Sequence, residues 1–172
     1  IFFAFLILKP YLLTRVTVTD QSSLERIFYA KIGLNMLQAH PWTGVGVGES
    51  VLRMQEYTSI KLWPWEIQPV HNYFLLAAAE IGIIGALSII VFFLIHVKQL
   101  IQSIHLNRGE GVDFQITLLS IFVGFLVLMQ FDHYFYTIEQ TQLLLWIILG
   151  FMAAETKNSP KVESLSDVST EQ

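Results

Sequence analysis

From Tyr73 to Ile95 the chain runs 23 residues with a single charged side chain, Glu80. At about 1.5 Å per helical residue such a run reaches about 35 Å, enough to cross a hydrocarbon core of about 30 Å. Two more apolar runs follow, Phe114–Phe131 and Thr137–Ala154, with Tyr134, Phe135 and Tyr136 as an aromatic belt before the last. Only 14% of residues are charged, against about a quarter in an ordinary soluble domain. The expected fold class is therefore an all-α integral membrane protein, a polytopic helix bundle. A net charge of −4 offers no basic footprint for nucleic acid, and the absence of cysteine removes disulfides, thiolate metal sites and cysteine nucleophiles.

The chain opens inside an apolar stretch, IFFAFLILKPYLL. Thirteen residues cover only about 20 Å, too little to span a membrane. No basic segment precedes the stretch, as a signal peptide would require. Residues 1–14 therefore read as the end of a truncated transmembrane helix, with Lys9 reaching back to the interface, and the chain as the C-terminal fragment of a larger protein. Residues 15–72 are expected to form a large helical loop, residues 73–154 three transmembrane helices, and residues 155–172 a polar, disordered tail. Lys98 and Arg108 lie between the first two runs and Lys157 and Lys161 follow the third, whereas QFDHYFYTIEQ has no lysine or arginine. The positive-inside rule thus places the 96–113 loop and the tail in the cytoplasm and residues 15–72 outside it. Arg26, His71, Asp132 and His133 then share one side of the membrane.

Within the outer loop, SSLERIFYAKIGLNMLQAHP predicts a helix. Ser22 and Glu25 have capping-box spacing, apolar residues recur at Ile27, Ala30, Leu34 and Leu37, and Pro41 follows the end. PWTGVGVGES alternates Gly44, Gly46 and Gly48; a tight turn is favoured over a phosphate cradle, because lysine and the strand–loop–helix setting are missing. ESVLRMQEYTS suggests a second short helix, and KLWPWEIQPV an interfacial segment anchored by Trp63 and Trp65. On a helix continued from His71, Leu75, Ala78, Gly82 and Gly85 fall in one small-residue stripe, which lets neighbouring backbones approach and turns the histidine toward protein. Glu80 lies about 13 Å further along and on the opposite face. A carboxyl there needs a partner, a cavity or a proton, and a packing role is favoured over direct chemistry.

His71–Asn72, nine residues, Gly82, two residues and Gly85 resemble the His-Asn-x9-Gly-x-x-Gly motif of the O-antigen ligase and polymerase superfamily. Arg26 ahead of HPWTGVGVGES, and FDHYFYTIEQTQLLLWIILG, are similar to further elements of that family, so that the resemblance covers roughly residues 15–154. It implies a bacterial inner-membrane glycosyltransferase whose catalytic loop is extracytoplasmic. The reaction implied is metal-independent, cofactor-free transfer of a glycan from undecaprenyl diphosphate to the hydroxyl of a sugar or lipid-linked acceptor. A polymerase of the same superfamily is the alternative, and a transporter the alternative from another class, since Glu80 in a span suits an ion path. Under the resemblance Arg26 holds the leaving diphosphate and His71 is the base. Asn72, Asp132, His133, Arg53, Gly46 and Gly48 are candidates for substrate binding. The family's further arginine falls in an earlier membrane region that the sequence does not contain, so the fragment alone is expected to be inactive. Thr141 also stands where the family pattern has glycine.

Overall fold

The computed structural model describes residues 21–106 and 111–158. The opening apolar stretch, Arg108 and the end of the tail lie outside the described residues. Those described form helices and turns, with no strand among them: α1 (Gln21–Ala39), 3₁₀ turns at Met54–Tyr57 and Pro64–Glu66, α2 (Tyr73–Leu106), α3 (Val112–Phe131), the single turn α4 (Tyr134–Thr137) and α5 (Glu139–Asn158). Two of these, α2 and α3, are long and apolar enough to cross a membrane, and only 33% and 22% of their most apolar windows are buried. The core helix of a soluble protein is mostly buried, so this exposure favours lipid contact. The third expected span falls on α5, which opens with Glu139, Gln140, Thr141 and Gln142 and is less apolar than the other two.

Two compact units divide the chain. One contains the described residues up to Leu87 together with Met129–Tyr136; the other contains the described residues of Ser88–Leu128 and those from Thr137 to Asn158. The second unit buries Phe93, Leu100, Leu118, Phe122, Leu145 and Met152. Its polar tie is Gln115, whose Nε2 donates to Ser103 Oγ at 3.0 Å and to Glu155 Oε2 at 3.3 Å. That contact helps explain why Glu155–Asn158, assigned to the disordered tail from sequence, continues α5 as helix.

In the first unit, α1 ends two residues before Pro41, as the proline requires. Its buried face differs from the one expected. Tyr29, Ile32, Gly33 and Met36 are buried, whereas Ile27 and Leu34 are 49% and 45% exposed. The buried set packs with Val45, Met54, Leu62 and Ala79, so α1 is oriented by the loop folded against it. Ser22 lies inside the helix, and Glu25 accepts from Gln21 Nε2 at 2.9 Å. The segment expected as a second short helix is a series of turns ending in the 3₁₀ turn at Met54–Tyr57.

The main departure lies in α2. Gly82 has φ 74° and ψ 174°, so the α-helical path breaks there. Three backbone bonds cross the break: Val45 N–H to Ala79 O at 2.8 Å, Gly46 N–H to Glu80 O at 3.0 Å, and Ile83 N–H to Pro41 O at 2.8 Å. The glycine-rich loop thus satisfies polar groups that the broken helix leaves without their usual partners. Contact is too close for side chains. A Cβ at Gly82 would stand 2.2 Å from Trp42 O, and one at Gly44 would stand 2.3 Å from the Glu80 carbonyl. The small residues seat a loop on an interrupted helix, in place of the continuous stripe that the sequence suggests.

Candidate functional site

Glu80 sits beside this junction and is 4% exposed. Gly48 N–H donates to its Oε2 at 2.8 Å and Ser50 Oγ to its Oε1 at 2.6 Å, and the Tyr136 hydroxyl also hydrogen-bonds to it. The pKa of Tyr136 is raised, first by burial and then by Glu80. The carboxyl therefore joins the glycine loop to the turn that follows Asp132 and His133. Gly46 and Gly48, candidates for substrate contact, direct their amides at Glu80. The arrangement is a turn around a carboxyl rather than a concavity open to phosphate.

His71 lies just ahead of α2, where Asn72 caps the helix. Asn72 Oδ1 accepts from Leu75 N–H at 2.8 Å, the expected N-cap bond, and its Nδ2 donates to Gln130 O at 2.9 Å. Both polar ends of Asn72 are engaged, and they tie the start of α2 to the end of α3. The tie brings Asp132 to His71: its Oδ1 lies 3.6 Å from His71 Nδ1 and 3.6 Å from His133 Nε2. The two imidazoles are 5.3 Å apart between centroids. His71 Nδ1 is buried without a hydrogen-bond partner, one short movement from Asp132. Asp132 itself is held by His133 N–H at 2.8 Å and by the Tyr134 hydroxyl. Burial pushes the His133 pKa down, opposed by Asp132 and reinforced by His71.

Arg26 reaches the same place from α1. Its Nη1 donates to Phe131 O at 2.6 Å, one residue before Asp132. Arg26, Ile27, Ala30, His71, Asn72 and Leu75 line a cleft of about 360 Å³ together with Gln130 and Phe131. A guanidinium and an imidazole facing one cavity suit a reaction that expels an anion and removes a proton. Arg53 is engaged elsewhere: it pairs with Glu56 at 2.9 Å and bonds Val45 O and the Tyr57 hydroxyl. It is not among the residues that line the cleft.

One participant escapes the sequence reading. Tyr29 is buried with its ring edge-on to His71, centroids 5.7 Å apart, and its hydroxyl donates to Glu66 O at 2.7 Å. It follows Arg26 by three residues, so the two neighbour each other on α1; that spacing is the signal available in the sequence. Burial, with Glu25 and Glu66 adding to it, raises the Tyr29 pKa. The side chains of His71, Asp132 and His133 also offer ligand atoms within 4.8 Å of one another, a spacing compatible with a metal ion.

A family model described as O-antigen ligase matches residues 1–90, more than half of the 172-residue chain. The chain belongs to the O-antigen ligase family. For this family member the match takes in Arg26, the glycine loop, His71–Asn72, Glu80 and the break at Gly82; Asp132 and His133 lie beyond it. Curated proteins and solved structures give no significant match. Membership in the O-antigen ligase family and two apolar helices support a membrane protein with glycosyltransferase-type activity.

Proposed function

We propose that the protein transfers a glycan from undecaprenyl diphosphate to an acceptor hydroxyl without a metal, at the extracytoplasmic face of a bacterial inner membrane. The observation that carries this reading is the shared cleft of Arg26 and His71 in a chain of the O-antigen ligase family. His71 uses Nε2 as the base while Asp132, beside Nδ1, orients the ring and supports the imidazolium that forms. The acceptor oxygen, losing its proton to His71, attacks the anomeric carbon. The bond from that carbon to the diphosphate oxygen breaks, and its electron pair leaves with the diphosphate. Arg26 binds the departing anion through its planar fork of N–H donors. Attack opposite the leaving group inverts the anomeric centre. Asn72 positions His71 by capping the helix behind it. Whether the acceptor is a lipid-anchored core sugar or a growing polysaccharide separates ligase from polymerase within the same chemistry.

The test is His71→Ala in the full-length protein. Surface glycan is expected to disappear and its lipid-linked precursor to accumulate, at an unchanged level of membrane-inserted protein. Normal glycan display by this variant refutes the assignment of the base.

A further inference from the structure

A second concavity lies on another face of α1. Gln21, Leu24, Glu25, Phe28 and Tyr29 from the helix face Leu62, Trp65, Glu66 and Gln68 from the following loop across a groove of about 590 Å³. That volume falls within the range of small-ligand sites. The groove differs in chemistry from the cleft of Arg26 and His71. Its described lining carries two carboxylates and two carboxamides and no basic side chain, so it disfavours phosphate and anionic headgroups. Acyl chains suit it no better, because the carboxylates would lose their solvation against lipid.

Trp65 lines the groove and is backed by Trp63, which lies outside the lining. Trp63 and Trp65 stack with centroids 5.3 Å apart and planes within 3°, and Trp65 is 71% exposed. Trp63 N–H donates to Glu66 Oε2 at 2.8 Å, while Glu66 N–H donates to Trp63 O at 2.9 Å, so the loop holds the indole pair in a closed turn. Lys61 Nζ lies 5.6 Å from the centre of the Trp63 ring and adds a further contact to the pair. A pyranose presents C–H bonds of partial positive charge from one face, which complement the negative face of an indole. Its hydroxyls find acceptors in Glu25 and Glu66 and both donors and acceptors in Gln21 and Gln68. Tyr29 connects the two places: it lines the groove, and its ring stands edge-on to His71.

We infer that this groove is a subsite for an uncharged saccharide ring, stacked on Trp65 and held by Glu25, Glu66 and Gln68, in the same glycan chain whose reacting sugar lies at His71. The inference rests on the transferase reading for the identity of its ligand. A ring held in the groove fixes the approach of its neighbour to the base.

The experiment uses full-length protein in detergent and two probes, the cell's own oligosaccharide released from its lipid carrier by mild acid, and inorganic diphosphate. Trp65→Ala is expected to weaken oligosaccharide binding at least tenfold and leave diphosphate binding unchanged; Arg26→Ala is expected to do the reverse. Glu25→Gln with Glu66→Gln, which keeps the shape, is expected to weaken the oligosaccharide several-fold. In membranes, the Trp65→Ala variant raises KM for the lipid-linked donor if the bound ring belongs to the donor, and for the acceptor if it belongs to the acceptor. Unchanged oligosaccharide binding in Trp65→Ala, or equal loss of both probes, overturns the inference. An absence of glycan transfer by membranes carrying the wild-type protein would remove the transferase reading instead, while the oligosaccharide measurements still report on the groove.

Discussion

Replacing Glu80 with alanine removes the acceptor on which three segments meet. Gly48 N–H, Ser50 Oγ and the Tyr136 hydroxyl all bond to its carboxyl. Gly48 is exposed, and water can take the place of its lost partner. Ser50 is 1% exposed, and Tyr136 is only partly accessible. Leaving a buried polar group unsatisfied costs about 1–3 kcal/mol, so two such groups together cost about 2–6 kcal/mol. At about 2–4 °C per kcal/mol for a domain of this size, the midpoint of thermal unfolding should fall by roughly 4–24 °C. Glu80→Gln separates hydrogen bonding from volume. Its carbonyl oxygen can accept from Gly48, while its amide donates to Ser50 or Tyr136, whose hydroxyls can also accept. The expected loss is about 1 kcal/mol. The assay is thermal unfolding of the full-length protein in detergent, with limited proteolysis to follow cleavage at residues 44–50. Equal midpoints for wild type and Glu80→Ala, or Glu80→Gln as damaging as Glu80→Ala, would refute the reasoning.

Gly82→Ala should prevent the loop from seating, because a Cβ would stand 2.2 Å from Trp42 O at a φ of 74°; Gly48→Ala meets no neighbouring atom and should cost only the strain of positive φ, about 1–2 kcal/mol, a contrast that folded yield in membranes reads directly. Asn72→Ala loses a helix cap worth about 1 kcal/mol as well as the bond to Gln130, whereas Asn72→Asp keeps the cap, so the unfolding midpoints should run wild type, then Asn72→Asp, then Asn72→Ala. The His133 pKa is lowered in the fold, so below its ordinary value of 6.5 the unfolded chain binds more protons than the native one. The stability tied to His133 is therefore complete above pH 6.5 and declines as pH falls through the depressed native value; unfolding midpoints measured from pH 7.5 to 5 should show this slope, and His133→Asn should flatten it.

Much of the local structure can be read from residue order. Pro41 terminates α1, Asn72 precedes α2, and uncharged runs mark α2 and α3. The distribution of lysine and arginine suggests only a common side of the membrane for Arg26, His71, Asp132 and His133; their proximity comes from the structure. The break at Gly82 could not be found this way. Glycines three apart in an apolar run look the same whether they bring two helices together or admit a loop into one, and the distinction lies in residues 41–46, some forty positions earlier. Extending a regular helix through Gly82 also leaves Glu80 without an evident partner, because its partners come from residues 48, 50 and 136. The buried face of α1 is illegible for a related reason. Ile27 and Leu34 are as apolar as Ile32 and Met36, and the choice between them is made by Val45, Met54 and Leu62. Tyr29 is not legible from the sequence, because a tyrosine on an amphipathic helix carries no chemical signature until a histidine is found against it.

The junction at Gly82 also governs how sequence can be exchanged among related chains. Residues 41–48 and 79–83 make one interlocked unit of backbone, joined by three hydrogen bonds and two points where no side chain fits. A chimaera that takes its outer loop from one parent and its membrane helix from another divides that unit, however conservative each half looks alone. Transplanting both stretches together keeps the fit, so recombination boundaries should fall before Pro41 and after Ile83.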